Sequence, residues 1–287
     1  SGRLAGARVL LVEDNEINRE FAGELLRSEG LEVDEAGDGQ EALEQVRRRD
    51  YEAVLMDIQM PVMDGYEATR RIRALADEPG GERFARLPII AMTALAMVQD
   101  SERSRAAGMN DHVSKPIDPD HLMQVLARWI ERPADARPAP ESRPELADLP
   151  DDLLALAGLD VREGVRRIGG RVEAYRKQLR RFRRNYAGAV EELERLAREV
   201  GPARAEEHCH ALKGVVGNLG AVVLHERLNA IDAGLKRGEP PDPAMIAEAR
   251  ERLERLMAEI DALEAAAPPP VAPSRSPPSG SMRCWGI

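Results

Sequence analysis

Three runs of consecutive apolar residues constrain the first half of the chain more than anything else in it. They are Val9-Leu10-Leu11-Val12, Ala53-Val54-Leu55-Met56 and Ile89-Ile90-Ala91-Met92. Each has the length of a strand and is apolar on both faces, a pattern a strand needs only when both faces are covered. Parallel sheets meet that condition, because helices return the chain across the sheet. Weaker strand candidates lie at 32–36 and 112–114. Amphipathic stretches separate the runs: Ile17, Phe21 and Leu25 form an i, i+4, i+8 stripe, and Asp38 with Glu41 and Asp64 with Glu67 have the spacing of a capping box. The β-α alternation repeats five times over residues 7–131, which predicts an α/β domain with a five-stranded parallel sheet.

From Arg132 the pattern stops. Pro133, Pro138, Pro140 and Pro144 cannot continue a helix, and residues 132–148 read as a Pro-rich linker. Residues 149–266 are helical in period throughout, punctuated by Gly169-Gly170, Gly201-Pro202 and 238–243. Four or five helices joined by short turns imply an antiparallel bundle. The Pro- and Ser-rich stretch 267–287 is expected to be disordered.

The chain has a net charge of −10, against the basic face of a general nucleic-acid binder. Its Arg-rich stretches, such as 176–184, alternate with acidic ones and read as solvated helix faces. Cys209 and Cys284 are its two cysteines and form no disulfide framework, which suits a reducing cytoplasm. No apolar run approaches the roughly 18 residues that span a bilayer, so no membrane contact is expected. Ser1-Gly2 at the start suits a piece cut from a longer protein.

Ligands of open parallel sheets bind beyond the carboxyl ends of the strands. The polar residues there are Glu13 and Asp14 after the first strand, Asp57 at the end of the third, Thr93 after the fourth and Lys115-Pro116 after the fifth. Three converging carboxylates repel one another, and a divalent cation with oxygen ligands, Mg²⁺, resolves the repulsion. A cation beside Asp57 also suits that carboxylate to nucleophilic attack on a phosphoryl group. Thr93 offers a hydroxyl and Lys115 a point charge to the phosphoryl oxygens. A cis Lys115-Pro116 bond would turn the lysine into the pocket.

Four segments, Leu11-Val12-Glu13-Asp14-Asn15, residues 56–65 from Met56-Asp57 to Asp64-Gly65, Ala91-Met92-Thr93-Ala94 and Ser114-Lys115-Pro116, resemble the receiver domains of two-component response regulators and hybrid kinases. The resemblance covers 7–131. It implies a flavodoxin-like fold, phosphorylation on Asp57, and Mg²⁺ held by Glu13, Asp14, Asp57 and the backbone carbonyl of Gln59. Thr93 and Lys115 would be the switch hydroxyl and the phosphate-binding lysine. The family usually has Tyr or Phe three residues before the lysine; His112 stands there, which favours a receiver that passes phosphate on over one with an output state. A haloacid-dehalogenase-type phosphatase would need a second Asp two residues after Asp57, where Gln59 stands.

The second constellation is His208-Cys209-His210-Ala211-Leu212-Lys213-Gly214, followed by Gly217, Asn218 and Gly220. Ala205, Cys209, Leu212, Val216 and Leu219 follow a helical period and are expected in a core, while His210, Lys213, Gly214, Gly217 and Asn218 share another face. Two glycines inside a helix cost about 1 kcal/mol each relative to Ala, and close approach of another surface would account for them. His208 and His210, two apart, point to different sides of the helix, against joint metal binding.

This stretch resembles the histidine-containing phosphotransfer (HPt) domain, with its His-x-Leu-Lys-Gly signature, over about 150–264. Gly158-Leu159-Asp160-Val161, Gly169-Gly170, Tyr175 and 179–182 are similar to the family's first helices. The resemblance implies a four-helix bundle with the phosphoacceptor at His210 and Lys213 offsetting phosphate charge. Together the two resemblances imply a phosphorelay: a kinase histidine donates to Asp57, Asp57 to His210 across a docked receiver–HPt complex, and His210 to a downstream response regulator. The chain shows no ATP-binding kinase region, and the expected parent is a cytoplasmic or inner-membrane-anchored hybrid sensor histidine kinase of bacterial type. The alternatives are a free-standing relay protein, or an interaction module in which His210 is idle.

Overall fold

The structure is a computed structural model and describes residues 4–93, 98–130 and 149–266. The expected linker at 132–148, the expected tail at 267–287, Ser1-Gly2, Ala94 and Cys284 lie outside the described residues.

Five parallel strands, β1 (Arg8–Val12), β2 (Glu32–Ala36), β3 (Ala53–Asp57), β4 (Ile89–Thr93) and β5 (Asp111–Ser114), form one sheet in the order β2-β1-β3-β4-β5. The apolar runs divide by alternation, as the pleat requires. Val9, Leu11, Leu55, Ile90 and Met92 face one side, under α1 (Glu16–Ser28) and α6 (Pro119–Trp129). Leu10, Val12, Val54, Met56, Ile89 and Ala91 face the other, under α2 (Gly39–Arg48), α3 (Gly65–Ala74) and α4 (Glu82–Arg86). α5 (Val98–Ala107) precedes β5. The five-fold β-α reading missed α4, a single extra turn that follows Gly80-Gly81 and carries Phe84 into the core.

Helix starts follow the sequence signals in part. Asp38 accepts from the amides of Gln40 and Glu41, and Asp64 from that of Glu67. The reciprocal arm of the capping box is displaced in both. Glu41 reaches past the cap to the Gly37 amide, and Glu67 is drawn to Arg70 and Arg71. A nearby guanidinium outcompetes a backbone amide for a carboxylate, because that hydrogen bond carries charge on both sides.

Residues 149–266 are all helical in their regular structure: α7 (Asp151–Leu154), α8 (Val161–Arg167), α9 (Val172–Tyr186), α10 (Ala189–Glu199), α11 (Pro202–Leu219), α12 (Val222–Lys236) and α13 (Pro243–Ala266). Five are long. The two short ones, α7 and α8, exceed the four or five helices expected, since one- or two-turn helices leave little periodicity to read. Leu179, Phe182, Leu193, Cys209, Leu212, Val216, Leu228, Leu253 and Ile260 make one core. The buried Tyr175 hydroxyl donates to the Leu219 carbonyl at 2.7 Å.

Two receiver-side residues belong to that core rather than to the sheet. Ile17 and Phe21 of α1 are 1% and 2% exposed, and both pack into the helical cluster. Phe21 meets Tyr175 edge-on at 6.3 Å between ring centroids. Leu25, the third residue of the same stripe, turns under the sheet with Ala22 and Leu26. Helix α1 thus joins two cores. Truncating Leu25 to Ala should lower the stability of the sheet domain by about 2–5 kcal/mol. Phe21→Ala should leave that domain's unfolding transition near wild type and loosen its attachment to the helices. Calorimetry of both variants checks the difference.

Candidate phosphoryl-transfer site

The strand order changes direction between β1 and β3, and the polar ends of those strands open into the crevice there. Glu13 and Asp57 are buried, and Asp14 stands at the mouth. The three carboxylates each offer an oxygen within 4.8 Å of the others. Gly65 closes the floor: a Cβ there would lie 2.1 Å from the Asp57 carbonyl oxygen, so the start of α3 can approach the end of β3 only without a side chain.

Lys115 follows β5, and its peptide bond to Pro116 is cis. Its ammonium lies 2.6 Å from Glu13 Oε2 and 2.7 Å from Asp57 Oδ2. Two carboxylates thus hold the point charge that the sequence placed here. Glu13 Oε1 also accepts from the Asn15 amide and from Asn18 Nδ2. Thr93 ends β4, nearly buried, and its carbonyl accepts from the Lys115 amide at 2.6 Å. The Gln59 amide donates to Asp57 Oδ1 at 3.4 Å. His112 is half-buried on β5.

One ammonium cannot balance three carboxylates, and burial together with the excess negative charge shows in the protonation of two of them. Burial, then Glu13, pushes the Asp57 carboxyl up to about 7. Asp14 is raised by the same two causes. The two acids hold the Lys115 ammonium charged against its burial. The oxygen-only donor set and the uncompensated charge fit a hard divalent cation such as Mg²⁺.

The opposite wall of this crevice is α11. Glu13, Asp14, Asn18, Asp57, Gln59 and Lys115 share a cleft of about 480 Å³ with Arg204, Glu206, His210, Lys213, Gly214 and His225. His210 is half-buried with its Nδ1 enclosed, which leaves Nε2 as the nitrogen open to the cleft. Burial, then the ammonium groups of Lys115 and Lys213, pushes the imidazole down to about 3. The ring is therefore neutral, the nucleophilic form, at physiological pH.

Lys213, expected to offset phosphate charge, is itself held by a carboxylate. It is 3% exposed and bound to Asp232 Oδ2 at 2.5 Å, and Lys236 shares that carboxylate at 3.0 Å. Its charge still lies beside His210, but the head group is fixed. Asp232 and Glu206 form a cluster with His210. Sequence reasoning missed both: Glu206 stands one turn before His210 on α11, a spacing that could have pointed to it, whereas only the packing of α11 on α12 brings Asp232 in.

The helix glycines have their reason. A Cβ on Gly214 would lie 3.0 Å from Asn18 Nδ2 across the contact with the sheet domain, and one on Gly217 would lie 3.0 Å from His225 Cδ2 on the neighbouring helix and 3.3 Å from Pro116 Cβ across that contact. Asn218 Nδ2 donates to Asn18 Oδ1 at 2.9 Å, and Asn15 Nδ2 donates to the Tyr186 hydroxyl at 2.6 Å. Gly214→Ala should therefore raise or preserve helix stability, by up to about 1 kcal/mol, yet weaken the contact between the two walls. Thermal unfolding, together with cross-linking across the cleft, would separate those effects.

Comparison with known proteins agrees with the sheet domain's geometry. Residues 9–127 match the family described as response regulator receiver domain. The sensor protein GacS of Pseudomonas syringae pv. syringae is 32% identical over 253 residues, covering 88% of this chain and 27% of GacS. The CAI-1 autoinducer sensor kinase/phosphatase CqsS of Vibrio cholerae is 40% identical over 129 residues, 43% of this chain and 17% of that protein. The chain thus spans about a quarter or less of the length of these relatives. Among solved structures, the receiver domain of sensor histidine kinase PA1611 from Pseudomonas aeruginosa, with magnesium coordinated in its active-site cleft, is 45% identical. The match covers 44% of this chain and 98% of that one, with a TM-score of 0.39. No described helix is long and apolar enough to cross a membrane. With its five parallel strands and its acidic crevice at the β1–β3 switch, the segment 9–127 is a response regulator receiver domain.

Proposed function

We propose that this chain is a two-site phosphorelay, in which Asp57 accepts a phosphoryl group from a kinase histidine and passes it to His210. In this reading residues 149–266 are an HPt domain, and His210 hands the group to the receiver of a separate response regulator. The chain would be the C-terminal part of a hybrid sensor histidine kinase, in keeping with a GacS match that runs through both halves of the sequence. The observation that carries the reading is the shared cleft, with the phosphoacceptor carboxylate on one wall and a neutral imidazole on the other.

The transfer balances without further reactants. The Nε2 lone pair of His210 forms the N–P bond as the acyl-phosphate O–P bond breaks, and its electron pair returns to the Asp57 carboxylate. Positioning and charge neutralisation supply most of the catalysis for such a step. Lys115 follows the charge on Asp57, the Thr93 hydroxyl meets a phosphoryl oxygen, and Lys213, held by Asp232, sets a positive field beside His210. Glu13, Asp14, Asp57 and the Gln59 carbonyl would hold Mg²⁺, which when bound neutralises the phosphoryl oxygens. With His112 where an aromatic switch residue usually stands, Asp57 serves as a station in transit.

Phosphorylation with a labelled donor tests this. The wild-type chain should acquire acid-labile, alkali-stable label on His210. Asp57→Asn should lose at least a hundredfold of it, and His210→Gln should retain only the alkali-labile acyl phosphate. Transfer to a downstream receiver that survives His210→Gln would refute the relay.

A further inference from the structure

The ion pairs that cross the contact between the receiver and the helices all run one way. Glu16 pairs with Arg181 at 2.8 Å, Glu20 with Lys177 at 2.7 Å and Glu24 with Arg171 at 3.1 Å. Farther along the contact, Arg166 meets Asp118 at 3.1 Å and Asp120 at 2.7 Å. Among the described residues, every cross-contact ion pair has its acid on the receiver and its base on the helical side. Glu16, Glu20 and Glu24 stand at i, i+4 and i+8 on α1 and so form a single row. Their partners run in the reverse order along α9 and the residue that caps it, so the two helices meet antiparallel.

This row is not the source of the affinity. Each pair joins one exposed side chain, Glu16 at 58%, Lys177 at 51% or Arg171 at 58%, to a largely covered partner, and such part-exposed pairs contribute little to stability. The apolar anchor beside it, Ile17 and Phe21, is buried but carries little information, since many receivers could present two apolar residues there. A row of rim charges does the complementary work: it sets register and orientation, speeds encounter and rejects partners of the wrong sign. A slip of one helical turn would still pair Glu with base along the middle of the row, but would strand Glu16 or Glu24 at the end.

We propose that Arg171, Lys177 and Arg181 are the surface by which the helical side chooses the receivers it serves. The proposal rests on the relay reading above. The partner it fits is a receiver whose first helix carries carboxylates at the three positions matching Glu16, Glu20 and Glu24. The chain's own receiver meets this requirement, and the downstream regulator must meet it as well, because His210 faces both through the same side of α11. A receiver with Lys or Arg at those positions is turned away.

The test uses the full chain with Cys284→Ser, Asn18→Cys and Asn218→Cys, so that a short thiol cross-linker reports docking without any phosphoryl chemistry. His210 labelling is followed in parallel in the full chain without the added cysteines. Reversal of one row alone, either Glu16, Glu20 and Glu24 to Lys or Arg171, Lys177 and Arg181 to Glu, should slow cross-linking and His210 labelling at least tenfold at low salt. Both reversals together should restore both rates to within threefold of the starting chain. A separate receiver with an acidic row should take phosphate from His210 at least tenfold faster than the same receiver with that row changed to Lys. Cross-linking that ignores single-row reversal, or is not rescued by the double reversal, overturns the proposal. Cross-linking that follows the charges while the starting chain never labels His210 leaves the charge row standing and refutes the relay instead.

Discussion

Two side chains turned the wrong way for their own domain hold this molecule together. A receiver fold needs α1 to cover the sheet, and Ala22, Leu25 and Leu26 do so. Ile17 and Phe21 point away from the sheet and are nonetheless almost fully buried, because the helical region closes over them. Full burial of two such residues is worth roughly 3–6 kcal/mol, an upper figure because unfolded chains already bury part of this surface. That is enough to bias two tethered domains toward contact. His210 faces Asp57 only while this contact persists, so the chemistry of the cleft depends on the apolar anchor.

Charge then decides how the cleft behaves. On the receiver wall three carboxylates share one ammonium; burial, then the Glu13 charge, lifts Asp57 and Asp14, and the crevice is receptive to a cation. On the opposite wall the charges pair off: Lys213 and Lys236 converge on Asp232, and Lys236 also reaches Glu206. Burial, then the positive field of Lys115 and Lys213, keeps His210 uncharged. In the proposed relay, the neutral His210 has no proton to lose before its nitrogen can attack a phosphoryl group.

Much of the receiver was legible because its signals are local and redundant. Continuous apolar runs identified three of the strands, and Glu13, Asp57 and Thr93 follow directly from them, whereas Lys115 follows the weaker candidate at 112–114. The extra turn α4 was too short to leave a period, and the capping arms were displaced by competing groups within four residues, Gly37 for Glu41 and Arg70 and Arg71 for Glu67. Around His210 the glycines at 214 and 217 foretold a close approach, and the structure supplies the approaching atoms in Asn18 and Pro116. The identity of that surface was hidden. Ile17, Phe21 and Leu25 read as one stripe, and nothing in the sequence says that a stripe is shared between two cores. The anchoring of Lys213 was hidden for the same reason: its partner Asp232 is 19 residues away on the next helix.

The central claim is that the docked chain moves phosphate within itself. Rapid-quench time courses of a chain phosphorylated on Asp57, run over a hundredfold range of protein concentration, test it most directly. Aspartyl label should decay as histidyl label rises, in a single phase whose rate constant does not change with concentration. A rate that climbs in proportion to concentration, or histidyl label that appears with no matching loss from Asp57, would contradict it.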